Sequence, residues 1–357
     1  MNAIKLWFQE HFSNPQVFAL ALLLVLFFAI VTTMGEMLAP VLASVVIAYL
    51  LEGVVKRLNG VRIPRFIAVL MVFVMFMVFV VFVLVGLLPL VSRQATQLVR
   101  DIPNMIAQMQ VLMMGLPDRY PDLFSPDQVS ELIGSLRAEV TNLGGELVSI
   151  SLSSVVGLIT IVVYLVLVPL LVFLFMKDKQ RILLWASNYL PQDLHLARTV
   201  WVDLDLQIGN YVRGKFTEIL VVWIATYVTF FVLGLDFAAL LSLAVGVSVL
   251  IPYIGAAVVT FPVALVAYFQ WGLSSDFGIL MTAYLIVQAI DGYVLVPMLF
   301  SEVVNLHPIA IMTAILVFGG LWGFWGVFFA IPLATLVQAV LTAWPAKEVV
   351  EPPATTT

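Results

Sequence analysis

Charged residues divide this chain into long apolar runs separated by short polar intervals. Six runs have the length of one membrane crossing: Val17 to Met34, Met37 to Val55 with Glu52 near its end, Phe66 to Val91, Leu152 to Met176, Phe216 to Leu235, and Phe277 to Phe300 with Asp291 inside. A helix needs about 20 apolar residues to cross about 30 Å of hydrocarbon, and unpaired backbone groups forbid almost any other spanning structure. These six runs therefore predict full spans. The first lacks a strongly basic lead and a small-residue cleavage site, so it reads as an uncleaved span whose helix starts near Ser13, Asn14 and Pro15.

Two further runs are too long for one helix. Phe237 to Ser275 is 39 residues without a charge, and Val303 to Ala346 is 44 residues in which His307 is the only ionisable group. Pro252 and Gly255 interrupt the first run; Gly319, Gly320 and Gly323 interrupt the second, with Pro308 and Pro332 in its limbs. The halves of the first run look too short for an easy crossing, so each run predicts a re-entrant hairpin that enters and leaves by one face. Each hairpin follows an ordinary span, so residues 216–275 and 277–343 read as span plus hairpin, twice and in opposite orientation. Such inverted repeats mark secondary transporters. Non-helical backbone is tolerated at membrane depth only where it is buried or lines a cavity, so Pro252, Tyr253, Gly255, Gly319, Gly320 and Gly323 are candidates for a solute or ion path. The alternative is that these residues kink helices and permit close packing, as Gly319 and Gly323 at GxxxG spacing would do.

The polar intervals set orientation. Lys56, Arg57, Arg62 and Arg65 follow the second span, and Lys177, Lys179, Arg181, Arg198, Arg213 and Lys215 lie before the fifth. Both intervals belong in the cytoplasm by the positive-inside rule. Ser92 to Ser151, with four Arg against seven carboxylates, belongs outside. Within it Ala95, Leu98, Ile102, Ile106, Met109 and Met113 repeat at helical spacing, as do Val129, Leu132, Ile133, Leu136, Val140, Leu143 and Leu147. Two amphipathic helices follow, serving either as a packing hairpin or as a lid. Ala197, Trp201, Leu204, Ile208 and Tyr211 mark another apolar stripe inside. The expected organisation is all-α and polytopic: spans one to three in 1–91, an extracytoplasmic segment 92–151, span four in 152–176, cytoplasmic helices in 177–215, a transport core in 216–343 and a cytoplasmic tail 344–357. Both termini are cytoplasmic in this scheme.

Composition agrees. The chain of 357 residues is 63% hydrophobic and 10% charged, against about 25% charged in a soluble domain. The net charge of −5 has no basic block to follow a phosphate backbone, which removes nucleic acid as a partner. With no cysteine, disulfides, thiolate metal sites and thiol nucleophiles are absent. No G-x-x-x-x-G-K-[ST] string occurs, so the driving force expected is an ion gradient rather than ATP.

Few residues remain to carry mechanism. Asp291 lies mid-span, where an ionised group costs from about 2.5 kcal/mol upward. It reads either as a proton- or cation-coupling carboxylate facing the hairpin tips, or as a structural acceptor for Gln288, Tyr293 or freed hairpin amides. Tyr293 and Pro297 share its segment, and Asn305 and His307 stand at the entrance of the second hairpin. His307 has the unperturbed pKa of a switch near neutrality, about 6.5, but equally suits a helix cap. Asn210, Tyr211, Arg213 and Lys215, with Glu218 able to pair with either cation, form an inner gate or an interfacial anchor. The three histidines have no zinc-type spacing, and a lone Asp291 distant from His307 does not make paired catalytic groups. Neither an enzyme nor a cofactor is expected.

The strings QIGNYVRGK (Gln207 to Lys215), LIPYIGA (Leu250 to Ala256), DGYVLVPMLF (Asp291 to Phe300), VNLHP (Val304 to Pro308) and GGLWGFWGVFFAIPLA (Gly319 to Ala334) closely resemble the autoinducer-2 exporter family, the PerM-like permeases, in the same order. The resemblance implies a bacterial inner-membrane transporter with eight hydrophobic segments that assembles as a homo-oligomer, a pentamer. It further implies export of a small polar solute such as a quorum-sensing signal, or sodium (lithium)/proton antiport. A passive channel through the oligomer is the competing class.

Overall fold

The structure is a computed structural model that describes residues 15–114, 131, 134–135, 154–188, 195–252, 254–300 and 307–343. Among these residues every regular element is a helix. That is the outcome expected for a chain with apolar runs this long, because a helix satisfies its backbone hydrogen bonds within one segment, without water. The elements are α1 (Pro15–Gly60), α2 (Arg65–Phe82), a π-helical turn (Val83–Leu87), α3 (Leu88–Met114), α4 (Ser154–Ser187), α5 (His195–Leu233), α6 (Ala238–Ser248), α7 (Ile254–Trp271), α8 (Ser275–Ile290), a second π-helical turn (Asp291–Leu295), α9 (Val296–Phe300) and α10 (Pro308–Ala343). Among the described residues five stretches are long and apolar enough to cross a membrane: Met37–Gly60, Arg65–Val111, Gln207–Leu233, Ile254–Trp271 and Ser275–Phe300. Their exposed side chains are those lipid would cover, for example Phe66, Val78, Phe82 and Val85 along α2 and the first π turn.

Several expected boundaries differ. Val17–Met34 and Met37–Val55, read as two spans, run through the single helix α1, because Gly35 and Glu36 between them are not enough to break it. Span three does not stop at Val91: α2, the first π turn and α3 form one continuous helical run, so the amphipathic stripe from Ala95 to Met113 extends the span. Span five likewise continues the stripe before it, in α5. The second amphipathic helix, from Val129 to Leu147, lies outside the described residues apart from isolated positions.

The long apolar runs do fold as pairs of helical arms. In the first, α5 ends in a Schellman motif: Gly234 has φ 73°, its N–H donates to the Phe231 carbonyl, and the Leu235 N–H donates to the Phe230 carbonyl. α6 and α7 then follow, packed on each other and joined through Pro252. α6 has 11 residues and rises about 16 Å, too short to cross. α7 has 18 residues, so the expectation that both arms fall short holds for α6 and not for α7, which starts directly at the turn and accommodates Pro262. α7 closes with Gly272 at φ 63°, and two residues later Ser274 caps α8 by accepting from the Phe277 N–H. In the second run, α10 is broken at Gly323, whose φ of 57° and ψ of −132° end one helix and begin another. Its apolar parts, Pro308–Gly323 and Trp325–Gln338, are both short of a crossing.

The chain divides into two compact units. One comprises 1–50, 174–214 and 300–357; its core packs Tyr211, Val212 and Ile331 with Val46, Leu50, Ile208, Phe300 and Ile311. The other comprises 51–173 and 215–299, and its core joins α5, α6, α7 and α8 through Val222, Phe230, Val245, Val266, Leu280 and Tyr284, with Leu98 and Met105 of α3 packed against it.

Both π turns end two residues before a proline: Leu87 precedes Pro89, and Leu295 precedes Pro297. A proline has no N–H and its ring collides with the carbonyl four residues back. Widening the preceding turn relieves both problems, and π turns recur at functional sites.

Candidate ion-coupling site

Among the described residues the second unit buries four charged side chains: Glu52, which pairs with Arg65 at 3.0 Å, and Lys215, Glu218 and Asp291. Lys215 is 4% exposed, Glu218 2% and Asp291 8%. Lys215 and Glu218 lie three residues apart on α5, on adjacent positions of one face, and Lys215 Nζ donates to Glu218 Oε2 at 2.8 Å. Asp291 opens the π turn that Pro297 imposes, within electrostatic reach of both Lys215 and Glu218. Its Oδ1 is buried and has no hydrogen-bond partner. Among the described residues one ammonium therefore faces two carboxylates, and with both ionised this group lacks one positive charge. In a low-dielectric interior such a deficit is costly and calls for a proton or a monovalent cation.

The hairpin turns supply a second feature. A side chain at Gly255 would collide with the carbonyl of Ser248, and one at Gly326 with the carbonyl of Phe318. In each hairpin the returning arm therefore touches the backbone of the outgoing arm, through a glycine just past the turn. A third feature is a cavity of about 600 Å³ between α3 and the α5–α6 turn, lined by Gln94, Gln97, Arg100, Asp101, Asp236 and Phe237 among others. Gln94 Oε1 there accepts from the Leu240 N–H at 2.8 Å. That bond caps α6 from another helix, because Phe237 at the α6 N-cap position is left-handed (φ 57°) and makes no side-chain cap.

The family profile of the AI-2E family transporter matches residues 18–346. The chain belongs to the AI-2E transporter family. It is 46% identical over 351 residues to a protein of Escherichia coli strain K12 that carries the name permease PerM, covering 98% of this chain and 99% of that one. It is also 26% identical over 306 residues to YueF of Bacillus subtilis strain 168, named as a transport protein, covering 84% and 82% of the two chains. YrrI of the same strain, similarly named, is 24% identical over 303 residues, 85% of each chain.

Against this AI-2E family background the sequence candidates fall into distinct places. The proposed inner gate divides between Gly214 and Lys215. Tyr211 is buried against Phe300, ring centroids 5.7 Å apart, in the first unit. There Arg213 donates to Asn210 Oδ1 at 2.8 Å and lies 5.7 Å from the centre of the Tyr49 ring, while the Tyr49 hydroxyl donates to Asp205. Lys215 and Glu218 instead lie buried with Asp291 in the second unit. Tyr293 is 85% exposed and stays apart from the buried cluster, whereas Pro297 bears on it through the π turn.

His307 serves as a cap: its Nδ1 accepts from the Ile309 N–H at 3.2 Å, and its carbonyl accepts from Ala310 and Ile311. Pro252 sits in the first turn, while Tyr253 and Asn305 lie outside the described residues. Gly323 makes the second turn; Gly319 faces Val327 closely, and Gly320 has open space around it. Gly326 was not singled out by the sequence, although the string GFWG spaces it three residues after Gly323. The hydrogen-bonded pair of half-buried Gln288 and buried Tyr284 was not visible as a network, since an amide and a phenol inside an apolar run carry no charge signal.

Proposed function

We propose that this AI-2E family protein is a secondary transporter in which Asp291 is the ion-coupling carboxylate. The carrying observation is the buried group of Lys215, Glu218 and Asp291, one positive charge short among the described residues, with Asp291 Oδ1 unpartnered among them. Binding of a proton or monovalent cation completes the charge balance, and its release restores the deficit, so the cluster has two states that an ion gradient biases. The two hairpins are read as re-entrant elements of an inverted repeat, with the solute path running along their turns. The cargo is read as a small polar solute, moved outward, of which a quorum-sensing signal is the example suggested by the family. The protein is placed in a bacterial inner membrane as a homo-oligomer with cytoplasmic termini. The same charge deficit serves sodium (lithium)/proton antiport, in which the cation is itself cargo.

Flux into proteoliposomes tests this reading. Wild-type protein is expected to show solute or cation flux driven by an imposed proton or sodium gradient, and Asp291→Asn is expected to abolish the gradient dependence. Flux that ignores both gradients, or an Asp291→Asn variant with unchanged ion dependence, identifies a passive channel and overturns the proposal.

A further inference from the structure

The hydrogen bonds around Tyr284 have a direction that geometry determines. Tyr284 is 1% exposed on α8, and its hydroxyl lies 3.0 Å from Thr260 Oγ1 and 2.6 Å from Gln288 Nε2. Thr260 has one hydroxyl proton, which it gives to the Ala256 carbonyl at 2.7 Å. Thr260 Oγ1 must then accept from Tyr284. With its own proton committed, the Tyr284 oxygen accepts from Gln288, so the atom facing it has to be the amide nitrogen. The row runs one way: Gln288 Nε2 to Tyr284 Oη, to Thr260 Oγ1, to the carbonyl of Ala256. It begins on α8 three residues before Asp291 and ends in the first turn of α7, beside Gly255.

This row decides which end of the Gln288 side chain is presented elsewhere. The nitrogen is held by Tyr284, so Oε1 is turned away from it. Gln288 and Asp291 are three positions apart and occupy neighbouring places on one helix face. Asp291 belongs to that face with a buried, unpartnered Oδ1. Hard cations take oxygen ligands, neutral amide carbonyls among them, and a single carboxylate suits a single charge.

We propose that Asp291 Oδ1 and Gln288 Oε1 form the side-chain half of a site for a desolvated monovalent cation. Tyr284 and Thr260 are its positioning residues, holding the Gln288 amide with its carbonyl towards the ion. The inference rests on the reading of Asp291 as the coupling carboxylate and adds its partner and its ligand class. It also ties ion binding to the first hairpin, since the row ends on α7.

The test is equilibrium binding of radioactive sodium to purified full-length protein in detergent, with lithium and potassium as competitors. Correct folding of each variant is checked by size-exclusion chromatography and thermal unfolding. Wild type is expected to bind, and Asp291→Asn to lose binding. Gln288→Leu should weaken affinity about tenfold, the effect of losing one contact to a charge. Tyr284→Phe frees the amide to flip, so it should weaken sodium binding several-fold and narrow discrimination against potassium, a change that a purely structural role would not produce. If Gln288→Leu and Tyr284→Phe bind as wild type does while Asp291→Asn fails, the positioning row is overturned and Asp291 keeps its coupling role. If Asp291→Asn binds like wild type, both readings fall. If wild type binds none of the three cations, the cation site is overturned, and only proton-driven flux sustains the coupling role.

Discussion

Lys215 is the residue on which the buried charges depend. It neutralises Glu218 at 2.8 Å and reaches Asp291 electrostatically, all with almost no solvent contact. Replacing it by Met leaves two carboxylates without a counter-charge, and breaking a buried pair in this way costs about 3–5 kcal/mol. Lys215→Met is therefore expected to lower the thermal midpoint of the purified protein strongly, and the double variant Lys215→Met with Glu218→Gln to recover much of the loss. Equal midpoints for the two variants would show that the pair is not coupled. Asp291 was legible in the sequence because an acidic residue between Asp276 and Glu302 stands out in an apolar run. The partnership with Lys215 was not, since Lys215 and Glu218 lie at the edge of their run, where sequence alone reads them as the membrane surface. The Tyr284 row was invisible for a different reason: the link from Tyr284 to Thr260, which joins its two halves, forms only when α7 packs on α8.

At the scale of elements, the two hairpins share a construction. Each turn is followed by a glycine that brings the returning arm onto a backbone carbonyl of the outgoing one, Gly255 on Ser248 and Gly326 on Phe318. Backbone cannot move aside as a flexible side chain can. Gly255→Ala and Gly326→Ala are each expected to destabilise the protein by about 1–3 kcal/mol, the usual cost of overpacking, whereas Gly320→Ala, with open space around it, should be tolerated. Thermal unfolding and the yield of monodisperse protein give the comparison. The breaks in the two long runs were readable, because run length and turn residues both point to them. Helix continuity was not: the change from apolar to amphipathic pattern at Val91 suggested a boundary, but a helix responds to the absence of breakers. Pro89 does not break it, standing in the first turn of α3 behind a widened turn.

For the whole molecule, the amphipathic extension α3 matters through its docking. Leu98 and Met105 pack on the core of the second unit, and Gln94 supplies α6 with the cap its own sequence lacks. Loss of a capping interaction costs about 1 kcal/mol. Gln94→Leu should accordingly speed amide hydrogen exchange at Leu240 and the first turn of α6, with little change in α8; unchanged exchange would mean that the bond does not hold the helix start. The alternation of apolar and polar positions announced α3 but named no docking partner, since that contact joins residues 146 apart. The widened turn at Asp291 has one more consequence. A π turn inserts roughly one surplus residue into the helix, and each residue of an α-helix advances about 100° around its axis. The stripe of side chains before Asp291 is thus out of phase with the stripe after it. A neighbour running along the full span from Ser275 to Phe300 meets two differently oriented surfaces, and the carboxylate sits at the seam where they change over.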